Sequence, residues 1–190
     1  MRTTFTSISS RLNTLALGSA LIAAVAAIAP TQAQASGVSL SAYVQCRNAA
    51  VTNFPGTIVE AAIATPELST LVNLVVAADL VGPLSGKGPL TVFAPTNEAF
   101  GKVPAPLLNL IGSNPDLLTS VLTYHVTTGT VDPRRSLLPN QVKTLQGQSV
   151  FVGFDADGAS VNQSVASCKG VKTSNGTVWI IDSVLLPQFK

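Results

Sequence analysis

Apolar residues recur at helical spacing in the first half of the chain and form short runs in the second half. Two helical stripes lie within residues 58–63 and 68–80, where apolar side chains return every three or four positions. Beyond residue 140 the runs are rich in valine and isoleucine and are divided by turn residues. Because helices come first and strands follow, the pattern predicts an α+β domain. The predicted strands are 142–145, 149–154, 159–165, 170–173 and 177–182.

Proline, glycine and threonine mark the expected ends of the second helix. Pro66 suits its first turn, because the missing N–H of proline has no partner to lose there, and Thr65 is the predicted N-cap. Gly82 and Pro83 should end this helix, since neither residue favours a helix interior.

A strand followed directly by a helix is predicted in the middle of the chain. Residues 90–94 are apolar and β-prone, Thr96 is placed as an N-cap, and Glu98 lies where a negative charge meets the positive end of a helix. Further helices are predicted at residues 105–111 and 115–124, again from apolar spacing.

Two dipeptides predict hairpin turns in the second half. Asp157-Gly158 and Asn175-Gly176 each stand between β-prone segments, as tight turns require. The acidic residues at 155–158 resemble the start of a calcium loop, but the later glutamate of an EF-hand is missing, so the hairpin interpretation is preferred.

The first 35 residues have the pattern of a signal peptide. Arg2 and Arg11 precede an uncharged apolar stretch at 15–29, and an Ala-Gln-Ala sequence ends at Ala35. The apolar stretch of about 15 residues is shorter than the roughly 20 that span a bilayer, so the sequence predicts cleavage near Ala35 and no stable membrane insertion. The expected product is secreted or periplasmic.

The remaining chain is expected to form one domain at residues 56–190, preceded by an extension at 36–55 that contains Cys46 and starts as a flexible tail at 36–42. Removing the two leader arginines from 11 basic residues leaves 9, which balance 9 acidic residues. A neutral chain gives no electrostatic case for nucleic acid. The adjacent basic pair Arg134-Arg135 is predicted to be a solvated loop pair, in preference to the alternative of an anion site.

Cys46 and Cys168 are the only cysteines. An exported protein meets an oxidising compartment, so the two thiols are predicted to form a disulfide that joins the extension to the C-terminal sheet. Redox catalysis is the alternative, but the sequence has no Cys-x-x-Cys and no further thiol to resolve an intermediate.

Catalytic and metal motifs are absent from the sequence. His125 is the single histidine, no Gly-x-Ser-x-Gly elbow is present, and neither a phosphate loop nor a dinucleotide fingerprint occurs. We therefore expect a non-enzymatic protein without a metal site. Asn162 and Asn175 begin glycosylation sequons, which matter only where exported proteins are glycosylated.

Three segments together resemble the fasciclin domain. They are TVFAPTNEAF at 91–100, LLTSVLTYHV at 117–126 and VWIIDSVLLP at 178–187, and the resemblance covers about residues 56–187. It implies a wedge of β-strands covered by several α-helices, in a family made mostly of extracellular adhesion or ligand-binding modules. One position departs from the family pattern, because Trp179 follows the Asn-Gly pair where a histidine is usual.

The resemblance also assigns residues to roles. Tyr124 and His125 match a tyrosine-histidine motif that is linked to adhesion in animal relatives, so they are candidate binding residues. The stronger interpretation makes them core residues whose polar atoms need partners. For His125 the expected partners are Thr96, Asn97 or nearby backbone at the predicted strand-to-helix corner, so that the histidine would lock two of the three motifs together.

Two functions remain open at this point. The first is an adhesion or interaction module for a cell-surface or matrix component. The second is a carrier for an apolar small molecule such as a carotenoid or a lipid, because a helix-covered sheet rich in aliphatic residues could open a hydrophobic tunnel. The same residues would equally build an ordinary packed core.

Overall fold

Two β-sheets and several helices make up residues 38–189, which are the residues that this computed structural model describes. The predicted signal peptide at residues 1–35 lies outside them. The α+β class is confirmed. The described helices are α1 (Leu40–Asn48), α2 (Ile58–Ile63), α3 (Ser69–Ala77), α4 (Val81–Ser85), α5 (Asn97–Gly101), α6 (Ala105–Ser113) and α7 (Pro115–Tyr124), with a 3-10 turn at Pro66–Leu68.

The strands are short, and most of them come after the helices in the chain. They are β1 (Thr52–Asn53), β2 (Leu90–Pro95), β3 (Val126–Thr128), β4 (Asn140–Lys143), β5 (Ser149–Phe154), β6 (Ala159–Val161), β7 (Ser164–Val165), β8 (Val171–Lys172) and β9 (Gly176–Ile181). Among the described residues, no helix is both long enough and apolar enough to span a bilayer.

The first sheet has the order β1-β8-β9-β2-β3, and the second has the order β4-β5-β6-β7. In the first sheet β2 and β9 are parallel, with Phe93 opposite Trp179. Isolated bridges from Thr127 to Thr144 and from Ala166 to Ile181 join the two sheets. The sheets are therefore connected at two places and enclose a wedge-shaped interior.

Alternation along β2 separates the two faces of the first sheet. Val92 and Ala94 point to one face, where they pack with buried residues of α2, α3, α6 and α7. Phe93 points to the opposite face, where it packs with Trp179 and with residues of the second sheet. We call these the helix face and the strand face.

The helix boundaries differ from the prediction around residue 80. Asp79 adopts a positive φ of 55°, so the predicted single helix ends at Ala77 and α4 starts at Val81. Gly82 and Pro83 lie inside α4 rather than after a helix. Pro83 is tolerated because it stands in the first turn, where its missing N–H has no partner to lose.

Thr65 is a second correction, because its side chain makes no N-cap hydrogen bond. Its hydroxyl donates instead to the carbonyl of Ala61 at 2.9 Å. Thr96, in contrast, is confirmed as an N-cap, since its hydroxyl accepts from the Ala99 N–H at 3.2 Å.

Three further differences concern the strands and the N-terminal extension. The predicted flexible tail at 36–42 overlaps α1, which is capped by Ser39 and begins at Leu40. Strands β1 and β3 were not predicted at all. The predicted strand at 159–165 is two strands, because Asn162 adopts a positive φ of 53° and turns the chain between them. Both predicted hairpins, β5–β6 and β8–β9, are confirmed.

Candidate functional site

Tyr124 lies in the interior at the end of α7. Its hydroxyl donates to the carbonyl of Ser149 at 3.2 Å and accepts from the amide of Asn162 at 3.2 Å. The residue therefore ties α7 to the second sheet. A ligand could reach the ring only if this junction opened.

His125 is also buried, and both of its ring nitrogens have backbone partners. Nδ1 lies 2.7 Å from the carbonyl of Val121, and Nε2 accepts from the N–H of Leu185 at 2.9 Å. Because Nε2 accepts, the ring is neutral with its proton on Nδ1. Burial lowers the pKa of His125 to about 4, although the hydrogen bond with Val121 works in the opposite direction.

The partners of His125 differ from the expected ones. The expectation named Thr96 and Asn97 or nearby backbone in the first motif, whereas the ring bonds to Leu185 in the third motif. Asn97 has a separate task. Its side chain accepts from the N–H of Thr70 at 2.9 Å and donates to the carbonyl of Pro66 at 3.1 Å, which fixes the start of α5 against the start of α3.

An open groove of about 710 Å³ lies at the end of the wedge where β2 and β9 begin. Its walls are the loop at 129–135 and the hairpin that joins β8 to β9, and Trp179 and Arg134 form its floor. We call it the polar groove. Its volume lies within the range of about 300–1,000 Å³ that is typical of ligand sites.

Arg134 is the buried centre of this groove, with only 7% of its side chain exposed. Its Nη1 donates to the carbonyls of Ala49 at 2.8 Å and Cys168 at 3.1 Å. Its Nε and Nη2 each donate to one oxygen of Asp132 at 2.9 Å. The prediction of a solvated pair is therefore wrong for Arg134 but correct for Arg135, whose side chain is 79% exposed.

Asp132 keeps its negative charge in this partly buried position. Burial alone would raise the pKa of its carboxyl, but the hydrogen bonds and charge of Arg134, together with the charge of Arg135, outweigh that effect and lower it. The bidentate pair also fixes the geometry of Arg134, because a planar guanidinium matches both carboxylate oxygens.

Trp179 completes the floor and is 1% exposed. The guanidinium carbon of Arg134 lies 4.7 Å from the centroid of the indole ring, a cation–π arrangement. Its Nε1 donates to the carbonyl of Val131 at 2.9 Å. Gly170 lies against the ring, since a Cβ built there would be 2.8 Å from ring atoms. The residue that departs from the family pattern is thus fixed in place from several sides.

The disulfide between Cys46 and Cys168 supports the same region. This pairing was predicted, and it joins α1 to the segment between β7 and β8 with Cα atoms 5.0 Å apart. The carbonyl of Cys168 is one of the partners of Arg134, so the disulfide and the arginine hold one another in place. Closing a loop over a sequence separation of 122 residues contributes about 5 kcal/mol in the chain-entropy model.

Two small cavities lie on the helix face. One of about 40 Å³ lies among α2, α3, α4 and the first sheet, and one of about 110 Å³ lies among α3, α5, α6 and α7. Both are lined almost entirely by apolar side chains, and His125 borders both. They are smaller than typical ligand sites.

The two sequon asparagines use their amide nitrogens inside the fold. Asn175 donates to the carbonyls of Leu84 at 2.9 Å and Gly86 at 3.0 Å, and Asn162 donates to Tyr124. Within residues 38–189, His, Cys, Asp and Glu side chains form no group of three or more that could hold a metal ion.

The protein is thus a small α+β module: two sheets form a wedge, most of the helices pack on one face of the first sheet, and a groove lies at one end of that sheet. The family model that matches this chain is the fasciclin domain, over residues 66–187. The chain belongs to the fasciclin domain family.

Named relatives support the same assignment. The chain is 44% identical over 132 residues to the immunogenic protein MPB70 of Mycobacterium bovis, and the aligned region covers 67% of each protein. It is 40% identical over 140 residues to protein sll1483 of Synechocystis, and this alignment covers 73% of the chain and 77% of the relative. It is 42% identical over 132 residues to the cell surface glycolipoprotein MPB83 of Mycobacterium bovis, and this alignment covers 67% of the chain and 59% of the relative.

A solved structure of a FAS1 domain pair from the insect cell adhesion molecule fasciclin I matches with a TM-score of 0.42 and 18% identity. The match covers 63% of this chain and 45% of the insect chain.

Proposed function

We propose that this protein is an exported, non-enzymatic binding module that attaches to a component of a cell surface or extracellular matrix through the polar groove. The observation that carries the proposal is the groove itself, because it is open, large enough for a ligand and built on a floor of buried residues. Binding sites gain affinity when their shape exists before the ligand arrives.

The contacts beneath the groove support such preorganisation. The loop at 129–135 is held by the hydroxyl of Thr91, which donates to the carbonyl of Gly129 at 2.8 Å and accepts from the N–H of Val131 at 3.0 Å. Arg134 then bonds this loop to Ala49 and Cys168. Residues that are distant in sequence therefore support a single surface.

Three observations support export. The leader has a signal-peptide pattern, the disulfide suits an oxidising compartment, and one named relative is a cell surface glycolipoprotein. Tyr124 and His125 would support binding indirectly in this proposal, by holding α7 against the second sheet and the C-terminal segment, because both side chains are buried.

A carrier function for a carotenoid or a lipid has weaker support. The apolar cavities of about 40 and 110 Å³ fall below the roughly 300 Å³ at which ligand sites begin. A long apolar molecule would have to separate the helices from the first sheet, at the cost of the contacts that form the helix face.

The test is binding of the fluorescently labelled protein to intact cells and isolated envelopes of the organism that produces it. The groove variant carries Arg135→Gln and Lys172→Gln, two exposed residues on the groove walls. The matched control carries Arg47→Gln and Lys143→Gln, which are also exposed and make the same change in charge away from the groove.

We expect saturable binding that the control variant retains and the groove variant loses. Equal binding by the two variants would show that the polar groove is not the attachment site. A mass spectrum and absorbance spectrum of the native protein tests the carrier function, since a stoichiometric apolar compound would favour it.

A further inference from the structure

We infer that the ligand of the polar groove is an acidic saccharide, bound through its carboxylate or sulfate by Arg135 and Lys172 and through its hydroxyls by the groove walls. This inference rests on the proposed function, because it names the ligand class of the same site.

Charge in the groove is the first argument. Four charged side chains line it, namely Asp132, Arg134, Arg135 and Lys172, which sum to a net charge of +2. The Asp132 carboxylate is already bonded by Arg134 and lies 3.4 Å from Nε of Arg135, so its charge is compensated within the protein. The chain without its predicted leader is neutral, so this groove is a local excess of positive charge that attracts an anion.

Hydroxyl groups on the walls are the second argument. Four hydroxyl side chains line the groove, and Thr173 donates its hydroxyl to the carbonyl of Gly176 at 3.0 Å. The other three hydroxyl side chains on the groove lining are those of Thr130, Ser174 and Thr177. A hydroxyl both donates and accepts, as a sugar hydroxyl does, so these side chains suit a saccharide.

The pairing of the strands argues against an extended acidic peptide. Peptides that bind along sheets add a strand to a free edge. In the groove β8 is paired on both sides, with β1 and β9, and β9 is paired with β8 and β2. The strands on the groove walls therefore offer a ligand side chains, and the edge strand β1 meets the groove only through the preceding Val51.

Trp179 would not stack on a sugar ring here. Arg134 and Gly170 lie close to its ring, and the residue is 1% exposed. Recognition therefore depends on charge and on hydroxyl groups, and binding should weaken as salt screens the exposed cations.

The experiment is isothermal titration calorimetry with the full processed protein and four probes. They are a short oligogalacturonate, dextran sulfate, a neutral oligosaccharide of the same length as the oligogalacturonate, and a polyglutamate peptide. We expect one site for the oligogalacturonate or the dextran sulfate, and whichever of them binds identifies the anionic group. The neutral sugar and the peptide should not bind.

Single variants locate the site. Lys172→Gln and Arg135→Gln should each weaken acidic saccharide binding by about tenfold, the effect of losing one hydrogen bond to a charged group. Lys143→Gln, another exposed strand lysine, should leave the affinity unchanged. Equal weakening by Lys143→Gln, or equally tight binding of polyglutamate, would overturn the inference.

The two proposals can fail separately. If cell binding depends on Arg135 and Lys172 but neither acidic saccharide binds, the ligand class is wrong and the attachment function stands. If cell binding ignores both residues, the proposed function is wrong, whatever the calorimeter shows for the saccharides.

Discussion

The two faces of the first sheet are stabilised in different ways. The helix face is an apolar cluster beside which His125 is a buried polar ring. The strand face contains a disulfide, an ion pair, an indole and carbonyls that all meet around Arg134. Apolar contacts are individually weak and replaceable, whereas a buried charge has few acceptable partners.

This difference has a consequence for function. The polar groove lies over the strand face, where each floor residue is fixed by directional bonds, while the helix face contains two small cavities. Rigid placement of charged groups is what a polar binding site needs. We therefore expect changes on the strand face to be more costly than changes on the helix face.

The sharpest test of the comparison is Arg134→Ala. The change leaves Asp132 partly buried without its main partner and leaves two carbonyls without a donor, so we expect a loss of about 3–5 kcal/mol in the free energy of unfolding. Urea denaturation followed by circular dichroism measures it.

Arg135→Ala is the control for that variant. Its side chain is exposed, and its pairing with Asp132 is long, at 3.4 Å, so its effect should stay within about 0.5 kcal/mol. Similar denaturation midpoints for the two variants would mean that Arg134 does not hold the strand face together.

These residues also show where sequence reasoning succeeds and where it stops. Apolar periodicity predicted α7 at its observed bounds, and a β-prone run between turn residues predicted β5 at its observed bounds, because local sequence determines both. Arg134 follows Asp132 and Pro133 in what reads as an ordinary polar loop. Its burial depends on Ala49 and Cys168, which are remote in sequence, so no local pattern indicates it.

The groove was not predicted for the same reason. It is formed by the loop after β3, a strand that is three residues long, and by the β8–β9 hairpin. The signal that could have drawn attention to it was Trp179, the departure from the family pattern. The partner of His125 was missed because Leu185 contributes a backbone N–H, and backbone groups leave no mark in a sequence.

The second prediction concerns how the stability of the helix face depends on pH through His125. The pKa of His125 is about 4 in the folded protein and 6.5 in the unfolded chain, so the unfolded chain binds a proton first as the pH falls. The stabilisation is complete above pH 6.5 and is lost between pH 6.5 and about 4. The expected loss is about 3 kcal/mol, measured by urea denaturation across this range.

His125→Gln isolates that contribution, since this is the single histidine in the chain. Carboxylates titrate equally in both proteins, so the difference between the two stability curves reports on the histidine. We expect the variant to be less stable than the parent protein at pH 7. Its free energy of unfolding should also change less between pH 6.5 and 5. Parallel curves would mean that burial does not hold the ring of His125 neutral.

A pair of glycines gives smaller expected effects than Arg134→Ala, with opposite signs on the two faces. A Cβ added at Gly112 in α6 meets no atom within 4 Å and borders the cavity of about 110 Å³, whereas a Cβ at Gly170 meets the ring of Trp179 at 2.8 Å. We expect Gly112→Ala to stabilise the protein by about 0.5–1 kcal/mol, because alanine restricts the unfolded chain and favours a helix. Gly170→Ala should destabilise it by about 1–3 kcal/mol, because the ring is held by Val131 and Arg134 and cannot move freely. Thermal unfolding of the two variants measures the gain and the loss in stability. An unchanged stability of Gly170→Ala would mean that the strand face adapts as easily as the helix face.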